Sequence, residues 1–188
     1  MKEPRMNFKI TDIDNNWSLF LDRDGVINRK IKNGYVLSIN DFEFLPGVIN
    51  AMKILEKKFN RIFILTNQQC IGKGLISIAE MEQIHDYMLE RIRKGGGDIT
   101  DIFVSPWLEE DQNPYRKPGT GMVKEALKKF PDIDYSRSVM VGDSVSDMLL
   151  GRKLGMLNVF ISRHYDPGAK MYDYHFHSLA DFARALES

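Results

Sequence analysis

The chain alternates short apolar runs with longer amphipathic ones, and few folds tolerate that pattern. "WSLFLD" (17–22), "RIFILT" (61–66), "DIFVS" (101–105), "SVMVGD" (138–143) and "LNVFIS" (157–162) are apolar stretches bounded by polar residues or glycine. Runs this short, with little polar alternation, mark strands buried on both faces of a parallel sheet. Helical patterns separate them. "PGVINAMKILEKKF" (46–59) opens with Pro-Gly and keeps Val48, Ile49, Met52 and Leu55 near one face. "SIAEMEQIHDYMLERIRK" (77–94) opens with Ser77, and Glu80 three residues later predicts a capping box. "GMVKEALKKF" (121–130), "SVSDMLLGRKLG" (144–155) and "SLADFARALE" (178–187) complete the set, and His175-Phe176-His177 alternates like a short last strand. Repeated strand–helix–strand units predict a doubly wound α/β fold, with a mainly parallel sheet covered by helices on both faces.

At 188 residues the chain is expected to form one domain over 1–188, with residues 1–16 as an N-terminal extension. A formal net charge of zero argues against a partner held by phosphate-backbone electrostatics, so no nucleic-acid partner is expected. Cys70 is the single cysteine, which excludes an intramolecular disulfide and a cysteine-based zinc cluster. The polar N-terminus lacks the apolar stretch of a signal peptide, and no later run is long enough to span a membrane. A cytoplasmic protein without a membrane partner is the expectation. The oligomeric state stays open.

Polar residues collect where the strands end. The first ends in Asp22 and Asp24, the second in Thr66-Asn67-Gln68, and the fourth in Gly142-Asp143-Ser144 with Asp147 a helical turn later. Arg116-Lys117-Pro118 precedes the third of the long helices that follow a strand. In a parallel sheet all of these project at one edge, where open α/β sheets bind ligands. Clustered carboxylates are costly unless a cation neutralises them. Magnesium suits such a site, because it takes a few carboxylate oxygens and leaves places for water and phosphate oxygens. Phosphoryl transfer needs the same parts: a nucleophile, a cation, a positive side chain and donors for the equatorial oxygens. A carboxylate can attack phosphorus to give an aspartyl-phosphate, and a second acid can protonate the leaving oxygen and later activate water.

"DRDGVIN", "TNQ", "RKPGTGM" and "GDSVSD" stand in the order and spacing of the four motifs of haloacid dehalogenase-like phosphatases, and the chain resembles that family from residue 19 to about 160. The resemblance implies a three-layer Rossmann-like fold, magnesium dependence and an aspartyl-phosphate intermediate. By position, Asp22 corresponds to the nucleophile and a magnesium ligand. Asp24 corresponds to the general acid/base, with its backbone carbonyl on the metal. Thr66 and Asn67 correspond to phosphoryl binders, Lys117 to the charge stabiliser, Asp143 to a further metal ligand and Asp147 to a residue behind the ligands. "GYV…DFEF…GVI.AM" (34–52) and "TNQQCIGKG" (66–74) are similar to the subgroup of heptose 1,7-bisphosphate 7-phosphatases and histidinol-phosphate phosphatases, the first stretch more to the heptose enzymes. That subgroup implies a small phosphorylated metabolite as substrate, with Asn67, Gln68, Arg116 and Lys73 as candidate contacts.

The chain also departs from the subgroup's pattern. Relatives carry Cys and His zinc ligands before "RKP", whereas "SPWLEEDQNPYRKP" (105–118) has neither, so no zinc is expected. Ser144 stands where a basic residue is common. Only about 20 residues separate the first motif from the next helix, against roughly 50 for a separate domain, so no cap domain is expected and shielding must come from loops 28–45 and 105–116 or from a second subunit. Cys70 reads as an inert thiol, and His85 as structural or solvated. Trp107 reads as packing its loop down or offering an apolar face to a sugar or base. Two rival readings differ in class. A phospho-accepting receiver would place its phosphorylated Asp on the third strand, which here ends in Ser105. A non-catalytic binding relative would not need every chemical position intact. No G-x-x-x-x-G-K-[ST] is present, which excludes a P-loop NTPase.

Overall fold

A computed structural model describes residues 9–164, 167–168 and 170–187. The first eight residues of the expected extension and Ser188 lie outside the described residues. The elements run β1 (Ser18–Leu21), α1 (Val48–Lys58), β2 (Arg61–Asn67), α2 (Gln69–Gly72), α3 (Ile78–Lys94), β3 (Asp101–Ser105), α4 (Gly121–Lys129), β4 (Ser138–Gly142), α5 (Val145–Leu154), β5 (Leu157–Ile161), β6 (Tyr174–Phe176) and α6 (Leu179–Ala185).

The strands pair in parallel in the order β3-β2-β1-β4-β5-β6. Each apolar run expected to be a strand is one, because side chains alternate between two buried faces. Leu19 and Leu21 of β1, with Ile62 and Ile64 of β2, join the core that α1, α3 and α6 cover. Phe20, Phe63, Leu65 and Met140 join the core on the other face, with Met122, Val123 and Ala126 of α4 and Leu150 of α5. Phe20 stacks on Phe63 at 5.1 Å between ring centroids across the β1/β2 pair. The three-layer α/β expectation is met.

Three local features differ from the sequence expectation. The last strand begins at Tyr174, one residue earlier than the His-Phe-His alternation implies, because Tyr174 and Phe176 turn to the core and leave His175 outward. The short helix α2 folds directly after β2, which turns the chain back at the sheet edge. The described part of the N-terminal extension is not all peripheral, since Ile13 is buried in the core with Trp17 and the Ile10 N–H donates to Tyr174 Oη at 3.0 Å.

The parallel order has a switch point at β1. The chain moves from β1 outward to β2 and β3, then crosses back to lay β4 on the other side of β1. The carboxyl ends of β1 and β4 therefore open a crevice where the loops part in opposite directions. Among the described residues no helix is long and apolar enough to cross a membrane.

The expected capping box at α3 is present. Ser77 Oγ accepts from the Glu80 N–H at 3.2 Å, and Glu80 Oε2 accepts from the Ser77 N–H at 2.8 Å. Ser77→Ala should therefore lower stability by about 1 kcal/mol. Urea denaturation reads this directly, and an unchanged midpoint would mean that packing alone sets the helix start.

Candidate active site

The site begins as an extension of the sheet. Past the end of β1, the Asp22 N–H donates to Val141 O at 2.9 Å, so the ladder with β4 carries Asp22 one residue into the crevice. Past β2, the Gln68 N–H donates to Ser105 O at 2.7 Å. Backbone pairing thus fixes where these side chains begin. Gly25 then turns the chain at φ +89°, and a Cβ there would lie 2.2 Å from Asp143 Oδ2. Only glycine allows the two loops to approach so closely. Gly142 does the same for Asp147, where a Cβ would lie 2.3 Å from the Asp147 Cγ.

Lys117 is the centre of the arrangement. It is 4% exposed, and its Nζ lies 2.8 Å from Asp22 Oδ1, 2.7 Å from Asp147 Oδ1 and 2.7 Å from the Leu65 carbonyl. Burial disfavours its charge, but Asp147 and Asp22 outweigh that and raise its pKa. The Asn67 carboxamide clasps the Lys117 backbone, donating to its carbonyl at 3.1 Å and accepting from its N–H at 3.0 Å. Asn67 lines the pocket, and its amide is already engaged in setting the lysine.

Asp147 is 0% exposed. Its position is set by α5, where Oδ2 accepts from the Ser144 N–H at 3.1 Å and from the Ser144 hydroxyl. The capping geometry turns an acid one helical turn inside α5 back toward the crevice. Asp147 therefore stands close to Asp22 and Asp143: one carboxylate oxygen from each of the three lies within 4.8 Å of the others. Burial raises the pKa of Asp22, and Asp147 and Asp143 add to this against the opposing pull of Lys117. Asp143 is also raised by burial, with Lys30 opposing at 3.0 and 2.8 Å from its two oxygens. Lys117 and Lys30 offset part of the cluster's charge, one carboxylate remains in excess, and the donors are hard carboxylate oxygens. That donor set fits a magnesium ion.

Asp24 is held differently. Arg23 Nη2 donates to both of its oxygens at 3.0 and 2.9 Å, Asn28 Nδ2 to Oδ1 at 2.9 Å, and Gln68 Nε2 to Oδ2 at 2.8 Å. Burial opposes ionisation, yet the Arg23 charge and these hydrogen bonds hold its pKa below the usual carboxylate value. The two acids of the first motif are thus driven apart, Asp22 up and Asp24 down.

The structure brings most of the expected residues together. Asp22, Asp24, Asn67, Gln68, Arg116 and Lys117 all line one open pocket. Thr66 is buried, and its Oγ1 accepts from Gln68 Nε2 at 2.7 Å. Arg116 donates to the Trp107 carbonyl at 3.2 Å, tying loop 105–116 to the pocket wall, while Trp107 itself is 46% exposed. Lys73 is not on the pocket wall. It donates to Tyr35 Oη at 2.9 Å, and Tyr35 lines the pocket in its place. Cys70 is buried and burial raises its pKa, as an inert thiol requires.

The sequence reading missed two residues, Lys30 and Arg23, and left His85 open between structural and solvated. Lys30 faces Asp143 from loop 28–45, and nothing in its local pattern signals this. Arg23, between two acids, is 0% exposed. His85 is buried, so the solvated reading falls. Its helical register was the available signal, since it lies four residues after Met81 and three before Met88 on the buried stripe of α3.

Comparison with known proteins agrees with this geometry. The family model for polynucleotide kinase 3 phosphatase matches residues 18–186. The D-glycero-alpha-D-manno-heptose-1,7-bisphosphate 7-phosphatase of Mycobacterium bovis is 38% identical over 138 residues, 73% of this chain and 73% of that protein. The D-glycero-beta-D-manno-heptose-1,7-bisphosphate 7-phosphatase of Pasteurella multocida is 33% identical over 180 residues, 90% of this chain and 96% of that protein. The crystal structure of D,D-heptose 1,7-bisphosphate phosphatase from B. bronchiseptica, complexed with magnesium and phosphate, superposes with a TM-score of 0.79 at 26% identity. It covers 91% of this chain and 98% of that one.

Lys117→Met would leave two buried carboxylates facing each other without their ammonium. Stability should fall by about 3 kcal/mol, measured by urea denaturation without added metal, and a loss under about 1 kcal/mol would show that the lysine is not the site's counter-ion. Gly25→Ala should displace Asp143 and weaken magnesium binding in a calorimetric titration, while Gly74→Ala, where a Cβ meets nothing within 4 Å, should not. With the four motifs converging on one crevice and relatives covering most of its length, the chain belongs to the polynucleotide kinase 3 phosphatase family of haloacid dehalogenase-like phosphatases, in the group of the heptose 1,7-bisphosphate phosphatases.

Proposed function

We propose that the chain is a magnesium-dependent phosphoric monoester hydrolase that removes the 7-phosphate of a D-glycero-D-manno-heptose 1,7-bisphosphate. One observation carries the chemistry. A buried carboxylate, Asp22, is held by a buried ammonium beside two further acids, at a strand end that opens into a pocket. The relatives' names support the substrate.

Asp22 attacks phosphorus through its free oxygen while Lys117 fixes the other. Asp24, a carboxylate at rest, takes the proton of the monoanionic phosphoryl group as the substrate binds, and it gives that proton to the sugar oxygen as the bond from phosphorus breaks. Asp24 then takes a proton from the water that hydrolyses the aspartyl-phosphate, which returns Asp22 as a carboxylate. Magnesium, held by Asp22, Asp143 and the Asp24 carbonyl, would neutralise charge on the phosphoryl oxygens. Arg116 on the pocket wall offers a forked cation to the sugar's second phosphate. Thr66 and Gln68 hold the region under Asp24 in register.

Loop 105–118 has no Cys or His, and the reading includes no zinc. A net charge of zero favours a small metabolite over a nucleic-acid 3′-phosphate, and no membrane partner is part of the reading. We also place the reaction in the cytoplasm, a setting that suits the free buried thiol of Cys70.

Phosphate release with magnesium tests this. Heptose 1,7-bisphosphate should be preferred over histidinol phosphate and a 3′-phosphorylated oligonucleotide. Asp22→Asn should lower kcat by about a thousandfold or more, and chelation of the metal should stop turnover. Preference for another substrate would overturn the substrate assignment alone. Undiminished activity in Asp22→Asn would overturn the chemistry.

A further inference from the structure

A guanidinium is buried whole behind the pocket. Arg23 is 0% exposed, and its Nη2 binds both oxygens of Asp24. Its Nη1 lies 3.1 Å from His85 Nε2 and 3.1 Å from Met81 Sδ, both on α3. Its Nε is buried without a hydrogen-bond partner. Arginine cannot shed its charge, so this burial is costly, and an apolar side chain would fill the same space without the cost. The charge is best explained by what it holds.

The donor inventory fixes the protonation state of the pair. A guanidinium only donates, so His85 Nε2 must accept and its proton sits on Nδ1. Burial, followed by the Arg23 charge, keeps the imidazole neutral, with its pKa pushed down to about 3. A fixed lone pair on α3 therefore aims one end of a rigid planar fork. The other end aims Asp24. Asn28 and Gln68 each hold one oxygen of that carboxylate, and only Arg23 spans both.

We propose that His85 and Arg23 are positioning residues that set the orientation of the Asp24 carboxyl toward the leaving oxygen. The inference rests on the reading of Asp24 as the proton donor. Asp24 rests as a carboxylate, takes the proton of the monoanionic phosphoryl group as the substrate binds, and passes it to the sugar oxygen when the bond from phosphorus breaks. Asp24 is left as a carboxylate already paired with Arg23. The fork thus meets the charge that the step creates without moving.

The test uses leaving groups. An alkyl leaving group needs Asp24's proton, whereas p-nitrophenolate leaves with little help. The ratio kcat/KM reports only steps through the first irreversible one, so it isolates proton donation from the later hydrolysis. His85→Leu removes the acceptor, His85→Gln keeps an acceptor near the same place, and Arg23→Lys keeps the charge but loses the fork. In His85→Leu and Arg23→Lys, kcat/KM for the sugar bisphosphate should fall about tenfold, with p-nitrophenyl phosphate within about twofold of wild type. His85→Gln should retain most of the activity on both, and thermal melting should show all three variants folded. An equal fall on both substrates, no fall on either, or failure of His85→Gln to rescue would overturn the proposal. Asp24→Asn runs alongside. If it fails to depress the alkyl substrate more than the nitrophenyl one, the reading of Asp24 itself is wrong, and the inference goes with it.

Discussion

One ammonium group organises the catalytic end of this molecule. Lys117 Nζ sits among Asp22, Asp147 and the Leu65 carbonyl, all within 2.8 Å and all shielded from solvent. Each contact comes from a different part of the chain. Asp22 follows β1, Leu65 lies on β2, Asp147 on α5, and Lys117 precedes α4. Ion pairs buried this deeply add little net stability, but leaving one partner alone is costly. The arrangement therefore exists in full or not at all, and the fold must bring four segments to one point.

The sheet order makes that convergence possible. With β1 between β2 and β4, the chain ends three adjacent parallel strands at one edge and diverges into loops on both sides. Two acids of the first motif then meet different surroundings. Asp22 faces other carboxylates and a buried lysine, which favours holding on to a cation. Asp24 faces an arginine and two amides, which favours carrying negative charge. Neighbouring acids in sequence thus acquire opposite electrostatic tendencies.

Loops wall the pocket. Ile31, Gly34, Tyr35 and Val36 from loop 28–45 supply part of its wall, and Arg116 tethers the loop bearing Trp107. Tyr35 is braced from behind by Gln69 and Lys73, both of which donate to its hydroxyl at 2.9 Å. Lys73, a candidate ligand contact in the sequence, thus becomes a support for a residue that does face the pocket.

The sequence by itself determined the strand set, the edge of the sheet that carries chemistry, and the identities of Asp22, Asp24, Lys117 and Asp143. Those are local facts, because apolar run length, turn residues and motif spacing are all short-range. It also marked Ser77 as a helix start, since a capping box closes within four residues. The burial of Arg23, its reach to His85, the pairing of Lys30 with Asp143 and the retreat of Lys73 to Tyr35 were decided only by the tertiary structure. A long charged side chain has enough rotatable bonds to meet partners from many directions. Which partner it meets depends on which helix or loop the sheet places within its reach, and that information is spread across the whole chain.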